Sequence, residues 1–232
     1  MDKKEYLKVL EVIANDPDEY LRKKLADMVG LPESILLKLC KDTCVDVRTI
    51  VAWRDDCTEE MLDILSKDDY PCVRANVAKK VISDAVGEVS ETRREIAERL
   101  VNDPAVQVRY SLASYADGYP EILENLVNDD FEEIRKLLAT LPFCSYEILV
   151  YLTKDVDTKV RRLCAERRDY KGLLDILKTD KNSEVRTAVA YNPICPARIL
   201  ELLAHDNCIE VKTAVVSTLK KRMEGGYYDD PV

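Results

Sequence analysis

The sequence predicts an all-α fold, an alpha-alpha superhelix or solenoid of about eight two-helix repeats of 26 residues, and three observations carry that prediction. An aspartate recurs at a near-constant interval. A basic residue follows it six positions later, and the apolar residues around both keep helical rather than strand spacing. The aspartates are Asp16, Asp42, Asp68, Asp103, Asp129, Asp155, Asp180 and Asp206, separated by 26, 26, 35, 26, 26, 25 and 26 residues. Their partners are Arg22, Arg48, Arg74, Arg109, Arg135, Arg161, Arg186 and Lys212. Lys and Arg make 35 of the 232 residues, so chance would supply about one in seven of these positions.

Each repeat opens with a helix of about ten residues, whose apolar face is read from runs such as Ile35-Leu36-x-x-Leu39 and Ile199-Leu200-x-x-Leu203. The aspartate then opens a turn, where its carboxylate satisfies free backbone amides. A second helix begins two to four residues later. Five residues after the aspartate stands an aliphatic residue in every unit, from Leu21 and Val47 to Val211, expected to face the core. Ten residues after it stands Ala26, Ala52, Ala78, Ala113, Ala139, Ala165 or Ala190, and finally Val216, small enough for neighbouring helices to approach closely. Helices this short are marginal alone and need their neighbours to bury the apolar face.

These repeats predict one solenoid domain over 1–224, with a nine-residue insertion within 81–94, and a flexible tail at 225–232. Within the insertion, Thr92-x-x-Glu95 reads as the capping box that restarts the helical pattern.

Composition excludes several classes. Six glycines and nine prolines are few for this length, and Phe plus Trp total three, which argues against an all-β chain. No run of 18 apolar residues is present, and Met1–Glu11 reads as a charged amphipathic helix rather than a signal peptide, so a cytoplasmic location is expected. The net charge of −9 opposes nonspecific binding to a phosphate backbone. Eight cysteines without Cys-x-x-Cys spacing and one histidine leave none of the usual zinc patterns, and free thiols without cofactor are expected.

The stretch Val185-Arg186-Thr187-Ala188-Val189-Ala190-Tyr191-Asn192-Pro193-Ile194-Cys195-Pro196, followed by Leu200-x-x-Leu203-Ala204-x-Asp206, resembles the leucine-rich repeat variant family, which belongs with the HEAT-like solenoids. Asp103-Pro104 with Val108-Arg109, and Asp16-Pro17-Asp18, echo the motif. The resemblance implies a stacked helical fold and leaves the partner open, because such families share stacking physics and differ in what they bind. Some relatives carry an iron–sulfur module before the repeats. No cysteine precedes Cys40, so that cluster is not carried over.

An aspartate–arginine pair in every unit is what a structural ladder requires, so Asp42, Arg48, Asp68, Arg74, Asp103, Arg109, Asp129, Arg135, Asp155, Arg161, Asp180 and Arg186 are assigned to one. On the second helix, positions seven and eleven after the aspartate are one turn apart and point away from the core columns. They place Trp53, Lys79, Tyr110, Lys136, Arg162 and Tyr191 on a recognition ridge, aromatic anchors among charges that suit a protein or peptide partner. His205 reads as a solvated turn residue and Cys164 as core, while Cys44 and Cys208 fall where a helix start can activate a thiol.

A non-catalytic interaction scaffold is the reading these residues favour. Two others stay open: a nucleic-acid-binding or DNA-base-repair HEAT-like protein, for which Trp53-Arg54-Asp55-Asp56 offers an aromatic, a cation and carboxylates, and a thiol-based redox or metal-binding repeat protein.

Overall fold

A computed structural model describes residues 2–83, 90–116 and 119–225. Among the described residues there are sixteen helices and no strand, and they fall in pairs on the predicted repeat. The pairs are α1 (Lys3–Ala14) and α2 (Glu19–Ala26), α3 (Glu33–Leu39) and α4 (Val45–Trp53), α5 (Glu59–Leu65) and α6 (Pro71–Ser83), α7 (Glu91–Val101) and α8 (Val106–Tyr115). They continue with α9 (Pro120–Leu126) and α10 (Glu132–Thr140), α11 (Tyr146–Leu152) and α12 (Thr158–Glu166), α13 (Lys171–Leu177) and α14 (Ser183–Tyr191), α15 (Ala197–Ala204) and α16 (Ile209–Glu224). The helices group into two compact units, Met1–Ile122 and Leu123–Val232.

Within the first unit the second helices pack in series, α2 on α4, α4 on α6 and α6 on α8; in the second, α10, α12, α14 and α16 do the same. The alanine column makes this possible. Every one of its seven alanines is fully buried, so the two backbones approach without an intervening side chain. The leucines three residues before the aspartate, such as Leu65, Leu100 and Leu152, are also fully buried, each worth about 1.5–3 kcal/mol of apolar transfer.

Two columns depart from expectation at their ends. The aliphatic column is fully buried from Val47 to Val211, yet Leu21, its first member, is 41% exposed. The small column is buried from Ala26 to Ala190, yet Val216, its last member, is 65% exposed. The first column therefore faces the preceding repeat and the second the following one.

Backbone amides at the helix starts are satisfied by the predicted chemistry. The repeat aspartate accepts the N–H two residues on, as in Asp42 with Cys44 (2.7 Å) and Asp155 with Asp157 (2.8 Å). Thr58 and Ser145 cap α5 and α11, where their hydroxyls accept from Met61 and Ile148. Gly30, at φ 76°, takes the left-handed conformation that lets the chain leave α2.

The capping box expected at Thr92-x-x-Glu95 does not form, and a simple cap stands two residues earlier. Ser90 is the N-cap, its hydroxyl accepting from the Arg93 N–H at 3.2 Å, and α7 starts at Glu91. Thr92 already lies inside the first turn. The centre of the insertion, 84–89, and the tail from 226 onward lie outside the described residues.

Candidate functional site

The charged pairs form two-way clamps between consecutive repeats. Arg22 donates from Nε and Nη2 to the two carboxylate oxygens of Asp42 (2.7 and 2.9 Å), and from Nη1 to the carbonyl of Asp16 in its own repeat (2.7 Å). Arg48 treats Asp68 and the Asp42 carbonyl in the same way, and Arg74 treats Asp103 and the Asp68 carbonyl. In the second unit Arg135, Arg161 and Arg186 grip Asp155, Asp180 and Asp206. Arg109 donates to the Asp103 carbonyl at 2.7 Å, and Asp129 accepts the Phe131 N–H at 3.0 Å.

Each bidentate rung uses the planar fork that only arginine offers. Burial of Asp42 pushes its carboxyl pKa up, but the Arg22 guanidinium and the Cys44 N–H outweigh it and hold the pKa below the usual carboxylate range. At Asp206 the Arg186 hydrogen bond is the leading cause of the same downward shift. These carboxylates are thus ionised and already committed to partners, which leaves them poor acids or bases.

A second set of contacts, absent from the sequence reading, closes the other end of four of the second helices. Twelve residues after the aspartate, Arg54 donates to the carbonyls of Ala26 and Met28 (2.6 and 2.7 Å) in the preceding repeat, and to Asp56. Arg167 reaches the Leu141 carbonyl (2.6 Å) and pairs with Asp169. Asn192 donates to the carbonyls of Ala165 and Arg167 (2.8 and 2.6 Å), and Thr218 to that of Ala190 (2.7 Å). These are the orphan carbonyls of a helix C-terminus. At four of the repeats this position holds Arg, Asn or Thr, which share a donor and nothing else, and elsewhere it holds residues such as Met28 and Leu141, so residue identity hid it. Arg54 is occupied in this way, so the cation that the nucleic-acid reading needed beside Trp53 is engaged within the fold.

The six ridge residues are distributed unevenly. In the first unit Trp53 is 58% exposed, and the Lys79 ammonium lies 5.0 Å from its ring centroid, in cation–π range. Trp53 borders a cleft of about 440 Å³ together with Asp27, Val29, Asp55 and Asp56. Tyr110 is half-exposed on α8, away from that cleft.

In the second unit Arg162 and Tyr191 line one cleft of about 740 Å³ with Glu166, Arg168, Glu184 and Glu210. Arg162 pairs with Glu166 at 3.3 Å. Lys136 is held back: its side chain is only 15% exposed and pairs with Glu133 (2.9 Å) and Glu132 (3.5 Å). The spacing thus brings together Trp53 with Lys79 and Arg162 with Tyr191, and leaves Tyr110 and Lys136 each outside the lining of the cleft in its own unit. Missed by that spacing were Asp55 and Arg168, thirteen residues after the aspartate, beyond the end of the second helix.

None of the eight cysteines forms a disulfide among the described residues. Burial pushes the thiols of Cys40 and Cys164 up to about 12 and those of Cys144 and Cys195 to about 11, which suppresses the thiolate. Cys44 and Cys208 occupy helix N-cap positions as the sequence placed them, and the Cys208 sulfur lies 2.8 Å from a Glu210 oxygen. His205 is exposed at the end of α15. Among the described residues no three His, Cys, Asp or Glu side chains converge as a metal-binding group, and no helix is long and apolar enough to cross a membrane.

Paired helices, a column of small residues and clamps between consecutive repeats within each unit define a helical-repeat protein of the solenoid class. Residues 184–207 match the family model described as leucine rich repeat variant. A solved structure described as a leucine-rich repeat variant with a novel repetitive protein structural motif is 25% identical, with a TM-score of 0.68, over 90% of this chain and 79% of that one. The matched stretch, which spans α14 and α15, is thus similar to one leucine-rich repeat variant unit, and the chain has the helical-solenoid fold of that structure. An engineered protein (16% identical, TM-score 0.38, 98% of this chain and 99% of that one) and a designed armadillo repeat protein (16%, 0.33, 91% and 98%) are also similar. No curated protein matches the sequence.

Proposed function

We propose that the protein is a non-catalytic interaction scaffold that holds a protein or peptide partner on the outer surface of its second helices. One observation carries this reading: Trp53, Tyr110 and Tyr191 are presented to solvent on those helices while the ladder charges are spent inside the fold. Aromatic side chains bring large contact area at low entropic cost, which is why they dominate binding hot spots. The flanking charges, Lys79 and Asp55 near Trp53 and Arg162 and Glu184 near Tyr191, supply the polar rim of such a surface. A net charge of −9 favours a basic partner over nucleic acid. Eight cysteines outside any disulfide among the described residues suit the reducing cytoplasm.

The test is capture from a lysate of the source cells on the immobilised chain, beside a Trp53→Ala, Tyr110→Ala, Tyr191→Ala variant of unchanged helicity. The scaffold reading expects a discrete protein that the variant loses. Equal capture by both, or copurification of nucleic acid alone, contradicts it.

A further inference from the structure

We propose that the cleft beside Trp53 takes the side chain of a lysine or arginine from a basic segment of the partner. The inference rests on the scaffold reading and names the chemistry that the first unit recognises.

Two helix ends build this cleft. Asp27 occupies the C-cap of α2, and Trp53 is the last residue of α4, ahead of Arg54-Asp55-Asp56. Packing of α2 on α4 brings these ends together around about 440 Å³, within the range of about 300–1,000 Å³ over which clefts hold ligands. The apolar part of the lining is Trp53, more than half exposed, with the almost fully exposed Val29 and the half-buried Ile50.

The charges of the lining do not cancel. Arg54 is its one basic residue, and that guanidinium is spent: Nε and Nη2 donate to the two Asp56 oxygens at 2.7 Å each, and Nη1 donates to the carbonyls of Ala26 and Met28. Asp56 thereby matches the charge of Arg54. Asp27 has no ion pair or side-chain hydrogen bond among the described residues. Asp55 meets the Lys80 ammonium at 3.6 Å and keeps its side chain fully exposed. Two carboxylates therefore border the cleft with little or no neutralisation, and the lining offers an incoming anion no uncommitted cation.

A long basic side chain complements both parts of such a lining. Its methylene stem covers Val29 and Ile50, while its charged head is drawn to the Trp53 ring and to Asp27 and Asp55. The ring already attracts one cation, the Lys79 ammonium 5.0 Å from its centroid, and Lys79 lies outside the cleft lining.

Trp53 is the single tryptophan of the chain, so its fluorescence reports on the cleft directly. The full chain is titrated with a terminally blocked peptide of alternating arginine and glycine, and in parallel with the citrulline counterpart, which keeps the shape and loses the charge. A saturable change in Trp53 emission is expected with the arginine peptide alone. Asp27→Asn with Asp55→Asn, both at exposed sites, should weaken that binding about fivefold, whereas Glu124→Gln with Glu147→Gln, an equal change of net charge in the second unit, should alter it by less than about twofold. No emission change, an equal response to the citrulline peptide, or equal weakening by the two pairs of substitutions would each overturn the proposal. Lysate capture judges the scaffold reading separately. A protein partner lost with the triple alanine variant but captured undiminished by Asp27→Asn, Asp55→Asn would overturn the cleft chemistry and leave the scaffold standing.

Discussion

Arg135 joins three points of two repeats: its Nε and Nη2 donate to Asp155, twenty residues ahead, at 2.7 and 3.2 Å, while Nη1 donates to the Asp129 carbonyl behind it at 2.5 Å. The same connection recurs along each unit and turns a local helix pair into one link of a chain. Four consequences can be measured before the clamp itself is tested.

Asn192 is 3% exposed and holds two helix-end carbonyls while its own oxygen accepts the Ile194 N–H at 3.0 Å. Asn192→Ala strands those groups and should cost about 2–3 kcal/mol in urea unfolding. A cost under about 0.5 kcal/mol would mean that water replaces the side chain and that the second set of contacts is incidental.

The small column should tolerate bulk at its open end only. Ala165→Leu inserts three heavy atoms at a fully buried site and should destabilise by about 1–3 kcal/mol, while Val216→Leu at the same column position is near neutral. Equal costs at the two sites would contradict the stacking geometry.

Thiol titration should divide the cysteines. Cys44, Cys72 and Cys208 are at least partly exposed and should react in the native protein, whereas Cys40, Cys57, Cys144, Cys164 and Cys195 are buried and should react only on unfolding. A rapid native reaction of five or more of these thiols would contradict the packing.

Acid should weaken the fold through the clamped carboxylates. The Arg198 hydrogen bonds lower Asp175 to about 2, and Arg186 lowers Asp206 as well. A depressed carboxylate stabilises fully above its unfolded value near 4, and that stabilisation disappears as pH falls through the folded value. The urea midpoint should therefore hold steady from about pH 7 to 5 and fall between about pH 4 and 2. A midpoint that rises on acidification would reverse the sign and contradict these pairings.

The fold was legible in the sequence because one physical requirement, burial against an identical neighbour, repeats every 26 residues and imposes the same residue types each time. The Asp–Arg columns were readable for the same reason, since a bidentate clamp tolerates few substitutes. The Arg54, Arg167, Asn192 and Thr218 column was not, because any donor of suitable reach can close a helix end. Nor did periodicity reveal that Glu132 and Glu133 hold Lys136 down, or that Leu21 and Val216 are exposed; those depend on what surrounds each position, and a column average conceals it. The helix start was misplaced by two residues because the Thr92-x-x-Glu95 pattern outweighed the simple cap at Ser90, and only the start of α7 at Glu91 distinguishes them.

The most direct test of the central claim, that the repeated charges bind one repeat to the next, is a double-mutant cycle on Arg135→Ala and Asp155→Ala by urea unfolding. Each single change should cost about 3 kcal/mol, because it leaves a partly buried charge unpaired. The cycle should return a coupling of about 2 kcal/mol or more. Costs that add to within about 0.5 kcal/mol would mean the two residues act independently, and the ladder would lose its role in holding the repeats together.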